Sequence, residues 1–170
     1  ESKGVLLVHA AGNSSKNIDM GKNFPTKRYS EKSIASNWLE IGASSWGDDE
    51  NFVGSFSNYG KETVDAFAPG VQIYSTTTDN NYKAYDGTSM AAPATSGVAA
   101  LLMSYFPDLS VKQVKGIILK SSRKFDNLEV LKPGKDGKKV NFNELSVTGG
   151  IINAYKAVEM AQEVSVNQAN

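Results

Sequence analysis

From Met90 to Met103 the chain is almost uniformly apolar, and this run constrains the fold more than any other stretch. Read as a helix over residues 88–105, it carries Ala91, Ala92, Val98, Ala99, Leu101 and Leu102 on nearly every side. A helix apolar all round belongs inside a layered domain. Pro93 fits only its first turn, because proline has no N–H to give to a preceding carbonyl. Pro107 stops the helix at the other end. Ser89 then stands at the helix N-terminus, after the turn-forming pair Asp86-Gly87. Unpaired backbone N–H groups and the positive end of the helix dipole gather there. Such a place favours negative charge and suits a serine that attacks a carbonyl and leaves an oxyanion. On helix-start grounds alone, capping is the commoner use of a serine at this position.

The rest of the chain supplies layers for that helix. Val5 to Val8 are continuously apolar and read as a strand buried on both faces, ending in His9-Ala10-Ala11-Gly12-Asn13. Trp38 to Ala43 read as the next strand, and Val64 to Gly70 as a third with its turn. Val71 to Ser75 and Tyr82 to Tyr85, around Asp79-Asn80-Asn81, read as a hairpin. Ser110 and Gln113 form a capping-box pattern for a helix to about Ser122, with Val114, Ile117 and Ile118 as its stripe. Residues 14–37 are polar and read as a long surface loop. Residues 123–148 read as a charged, loop-rich insertion with a short strand in Val140 to Leu145. Ile151, Tyr155 and Val158 predict a final amphipathic helix, residues 164–170 a frayed tail, and Glu1 to Gly4 the end of a helix. The fold class is α/β. About three parallel strands lie between helices, with a hairpin, in a single domain over residues 1–170.

Composition excludes several functions. The 18 basic and 18 acidic residues balance, so no nucleic-acid partner is implied. There is no cysteine, hence no disulfide framework and no thiol or zinc chemistry. No stretch approaches the roughly 20 apolar residues of a membrane span. Asp48-Asp49-Glu50 reads as a solvated turn, and the lysines at 132, 135, 138 and 139 as a solvated loop in preference to an anion site. No metal site or cofactor is evident.

The string Gly87-Thr88-Ser89-Met90-Ala91-Ala92-Pro93 resembles the nucleophile motif of the subtilisin-like serine proteases, the subtilases or peptidase S8 family. Ala10-Ala11-Gly12-Asn13 resembles the segment that holds the family's oxyanion-hole asparagine. By itself an Asn after Gly reads as a turn residue. Phe56 to Gly60 and Val64 to Gly70 resemble later segments, in the family's order. The likeness covers residues 4 to about 122 well and 149–162 loosely. It implies a partial subtilisin-like three-layer sandwich, the C-terminal half of a catalytic domain. It also implies Ser89 as nucleophile and Asn13 as oxyanion donor, with Ala10, Ala11, Gly12 and Thr88 binding a peptide or protein substrate.

Subtilase chemistry also requires an Asp and a His, in the chain order Asp, His, Ser. Neither of their motifs occurs in this sequence. The one histidine, His9, sits at a strand end and reads as a structural residue. The resemblance therefore implies a serine endopeptidase portion that is inactive alone and whose partner is the missing N-terminal half. The alternative is a non-catalytic, pseudoprotease-like binding module, and a third reading is a structural domain with incidental motifs. By resemblance the parent is extracytoplasmic, and calcium belongs only to what the full-length parent could carry. Val5 to Val8, with no proline or inward charge to blunt an edge, are expected to promote self-association.

Overall fold

The computed structural model describes residues 3–21, 23–30 and 33–169. Its strands are β1 (Leu7–Ala10), β2 (Arg28–Ser30), β3 (Ser33–Ile34), β4 (Trp38–Ser44), β5 (Ala66–Pro69), β6 (Ile73–Thr77), β7 (Asn81–Tyr85), β8 (Arg123–Lys124), β9 (Glu129–Leu131), β10 (Lys139–Asn141) and β11 (Gly150–Ile151). The helices are α1 (Thr88–Tyr105), α2 (Val111–Lys120) and α3 (Ala154–Ala169), with a 3-10 turn at Phe142–Glu144.

The main sheet runs β1-β4-β5-β11-β8. β1, β4, β5 and β11 are parallel and β8 is antiparallel. The three expected parallel strands are present, and two short strands from the C-terminal region extend them. β4 is buried along its whole length. Its neighbouring side chains point to opposite faces, which divides the core in two. Leu39, Ile41 and Ala43 face α1, α2 and α3, packing with Leu102, Val114, Ile118, Ala157 and Ala161. The other core gathers Phe67, Ala11, Ile18, Phe52, Val130, Phe142 and Leu145. Four of its rings, Phe52, Phe67, Phe125 and Phe142, pack with centroids 5.0–5.6 Å apart. Gly42 makes room for this: a Cβ there would lie 2.5 Å from the Phe67 ring.

α2 carries the expected capping box. Ser110 Oγ accepts from Gln113 N while the Gln113 side chain accepts from Ser110 N. β6 and β7 form the expected hairpin. Its turn places Asp79 at φ 60° and Asn80 at φ 54°, the two left-handed residues of a type I′ turn.

Other expectations change. β1 begins at Leu7, not Val5, and is not buried on both faces: Val5 is 51% exposed and Leu7 44%. Residues 14–37 are more than loop, since they bury Ile18 and contain the β2–β3 pair. The 123–148 region holds β8, the β9–β10 pair and the fully buried Val130 and Phe142. In α3 the buried residues are Ala157 and Ala161, whereas Ile151 belongs to β11 and Tyr155 is 69% exposed. Small residues there let the helix approach its neighbours closely, and Val158, as expected, packs partly buried against the same core with Met160 and Val164. α3 continues through Ala169, so the 164–170 stretch is helical where described. Glu1, Ser2 and Asn170 lie outside the described residues.

α1 is the largest correction. One side is buried through Ala91, Ala92, Thr95, Ala99 and Leu102. On the other, Pro93, Ala94, Gly97, Ala100, Leu101 and Tyr105 are exposed. The sheet, α2 and α3 lie along one side only.

Candidate active site

The site is built where two backbone segments meet at the carboxyl ends of the sheet strands. Beyond β5, Gly70 O accepts from Gly87 N at 2.8 Å. A Cβ on Gly70 would lie 2.7 Å from Ala43 Cβ and 2.8 Å from Gly87 O. Glycine at position 70 therefore lets the residue preceding α1 rest directly on the sheet. From there α1 starts at Thr88, with Gly87 in the N-cap position. Ser89 lies one residue inside the helix and is exposed. The N–H groups of Met90 and Ala91 both point to Gly87 O, and that of Thr88 is taken by Asn13. The Ser89 N–H has no partner among the described residues, as expected of a helix start with no acidic side chain in its first turn.

Asn13 comes from the loop that follows β1. Ala11 N still donates to Ile41 O at 2.9 Å, continuing the parallel ladder. The chain then turns at Gly12, whose φ of 100° is open to glycine. Gly12 N donates to Thr88 Oγ1 at 3.1 Å. Asn13 Oδ1 accepts twice, from Thr88 N at 3.0 Å and Thr88 Oγ1 at 2.8 Å. A backbone N–H can only donate, so the oxygen of the Asn13 amide must face Thr88 and its Nδ2 must face away. A carbon placed at the Cβ position of Gly87 would lie 3.5 Å from Asn13 Nδ2 and 3.6 Å from Ser89 N. Met90 Sδ lies 3.4 Å from the same point, and Gly87 itself is buried. The Asn13 amide and the Ser89 N–H thus both lie at the start of α1, whose positive end favours an anion.

The remaining predicted binding residues lie in the same place but differ in what they expose. Ala10 is half-buried at the end of β1. Ala11 is fully buried, and Thr88 is 1% exposed. Their side chains secure the two segments; at this depth Thr88 offers its hydroxyl to Gly12 and Asn13. Two residues the sequence did not single out also act here. Asn58 Nδ2 donates to Ala11 O at 2.7 Å, and Asn23 Nδ2 reaches the same carbonyl at 3.2 Å.

His9 is engaged elsewhere. Its Nδ1 lies 2.9 Å from Glu40 Oε1, and its ring is 5.1 Å from that of Trp38. Trp38 Nε1 donates to Glu40 Oε2 at 2.7 Å. Glu40 is 2% exposed, so the histidine serves a buried carboxylate across the β1–β4 pair. Asp65, also buried, accepts from Glu40 N and Lys27 Nζ. At the surface Asp48 pairs with Arg123, Glu50 with Lys139 and Asp136 with Lys132. Among the described residues, no group of three or more His, Asp or Glu is placed to hold a metal ion. None of their helices is long and apolar enough to cross a membrane.

The model of the Subtilase family matches residues 1–149. The chain is 37% identical to subtilisin DY of Bacillus licheniformis over 115 residues, 67% of this chain and 38% of that protein. It is 39% identical to alkaline serine exoprotease A of Vibrio alginolyticus over 116 residues, 68% of this chain and 19% of that one. Among solved structures, a protease from Pseudoalteromonas arctica superposes with a TM-score of 0.70 at 25% identity, over 94% of this chain and 44% of the other. A chain from the subtilase cytotoxin SubAB assembly has the same fold, with a TM-score of 0.74 at 22% identity, over 97% of this chain and 52% of that one. The match therefore spans about half of each solved chain and less than half of these relatives.

Proposed function

The chain belongs to the subtilase family, and from that premise we propose that it is the nucleophile-bearing portion of a serine endopeptidase catalytic domain. In this reading Ser89 Oγ attacks a peptide carbonyl and the amine leaves. Water then releases the acyl group from the serine. Asn13 Nδ2 and the Ser89 N–H receive the oxyanion at each tetrahedral stage, and the backbone of Ala10 to Gly12 lines the substrate cleft. The observation that carries the reading is the hold of Thr88, the residue before Ser89, on the Asn13 amide oxygen, which brings the Asn13 loop to the start of α1 and turns Nδ2 away from Thr88.

A base to take the serine proton, and a carboxylate to orient that base, come from a partner segment equivalent to the rest of a subtilase catalytic domain. His9 is committed to Glu40 and does not fill that role. Without the partner, the serine is a weak nucleophile and the chain alone is inactive. The parent works outside the cytoplasm, as expected of relatives named as alkaline proteases. Assay of the purified chain on casein and on a peptide ester tests the solitary state. No turnover above that of Ser89→Ala is expected. Turnover at the level of a full triad, lost in Ser89→Ala, would overturn the requirement for a partner.

A further inference from the structure

We propose that Asn58 is a positioning residue for Asn13, a proposal whose catalytic meaning rests on the reading above. Asn58 lies in the loop between β4 and β5 and is 3% exposed. One side chain and its backbone bind the loop on both sides of Asn13. Asn58 Nδ2 donates to Ala11 O at 2.7 Å, and Asn58 N donates to Gly12 O at 2.8 Å. Beyond Asn13, Ser14 N and Lys16 N both donate to Asn58 Oδ1, at 3.1 and 3.0 Å. Those two backbone groups can only donate, which fixes the Asn58 amide with its oxygen toward them and its nitrogen toward Ala11.

Asn58 is itself tied to the sheet. Ser57 Oγ accepts from Ala43 N at 3.0 Å and donates to Asn58 O at 2.9 Å. A line of hydrogen bonds therefore runs from the buried strand β4, through Ser57 and Asn58, to the loop that presents Asn13. The conformation of Gly12 belongs to the same device: a Cβ there would come within 2.6 Å of Asn58 Nδ2. Thr88 grips the Asn13 side chain from α1, while Asn58 grips the backbone on either side of Asn13, at Ala11, Gly12, Ser14 and Lys16. With both in place, Nδ2 has one direction left.

The test uses the isotope-labelled chain as it is, comparing wild type, Asn58→Ala and Asn58→Asp by NMR. Hydrogen exchange is followed at Ser14, Lys16 and the β4 amides, with the side-chain amide signals of Asn13. In Asn58→Ala, exchange at Ser14 and Lys16 is expected to quicken by about tenfold or more, and the Asn13 signals to move, while β4 keeps its protection. Asn58→Asp keeps an acceptor for both amides and should keep them slow. Unchanged Ser14, Lys16 and Asn13 in Asn58→Ala would overturn the proposal, as would uniform acceleration that includes β4. If the alanine variant does not fold, fast Ser14 and Lys16 beside a protected β4 in Asn58→Asp would overturn it, and slow exchange would support it. None of these readouts needs catalysis, so they stand apart from the fate of the protease reading.

Discussion

At the residue scale, Gly12 has no room for an added atom. Its φ of 100° is unfavourable to any side chain, and a Cβ would strike Asn58. Gly12→Ala should cost more than about 1 kcal/mol, read as a lower thermal midpoint. Thr88→Val preserves volume but removes the hydroxyl that serves both Gly12 N and Asn13 Oδ1. It should cost about 1–3 kcal/mol, because the Gly12 N–H then has no acceptor; equal midpoints for wild type and variant would contradict that accounting. Asn13→Ala takes the acceptor from the buried Thr88 N–H and from the Thr88 hydroxyl, so it should also lower the midpoint, by the equivalent of about 1–3 kcal/mol. In an assembled enzyme it should lower kcat by about the 10²–10³ that loss of one oxyanion donor brings in this family. That the Asn13 loop meets the start of α1 was legible in the sequence because each segment is a contiguous, chemically specific string. Asn58 was not, since it acts on Ala11 from 47 positions away and only the fold brings the two together.

At the scale of elements, α1 shows both the reach and the limit of pattern reading. Its eighteen residues include no charged side chain, although one side is open. α2 carries Lys112, Lys115 and Lys120, and α3 carries Lys156, Glu159 and Glu163. The sequence states that α1 is suited to burial on every side; it cannot state which neighbours are there to bury it. The same limit applies to β1, whose apolar run is exposed in part because β4 is its only sheet neighbour among the described residues. Local signals with their own chemistry survived better: the capping box of α2 and the Asp79-Asn80 turn both formed as read. α2 also offers a pH test. Burial pushes the Lys115 ammonium below the ordinary lysine range, opposed in part by attraction to Asp65. The unfolded chain then holds that proton more tightly than the folded one. The penalty is fully present at neutral pH and fades as pH rises through the lysine range. Lys115→Met should raise the thermal midpoint at neutral pH, with a gain that shrinks in strongly alkaline buffer. A gain independent of pH would point to packing instead.

At the scale of the whole molecule, the open edge of β1 and the open side of α1 are adjoining surfaces, since α1 packs on β1. An unpaired strand edge beside an uncharged apolar face favours association. The chain alone should therefore elute at larger apparent size as concentration rises in gel filtration. Charged substitutions at Leu101 and Tyr105 should reduce that trend without loss of folding. A monomer at every concentration would contradict the association. The same surface is where a partner segment would complete the domain, and there the account is most exposed. Its central claim is that Ser89 and Asn13 form half of a proteolytic centre that awaits its base. The direct measurement is hydrolysis of a peptide ester by this chain mixed with a segment that carries the family's Asp and His motifs. The account predicts turnover that appears only in the mixture and disappears with Ser89→Ala. A stable complex of the two parts that shows no Ser89-dependent turnover would contradict it.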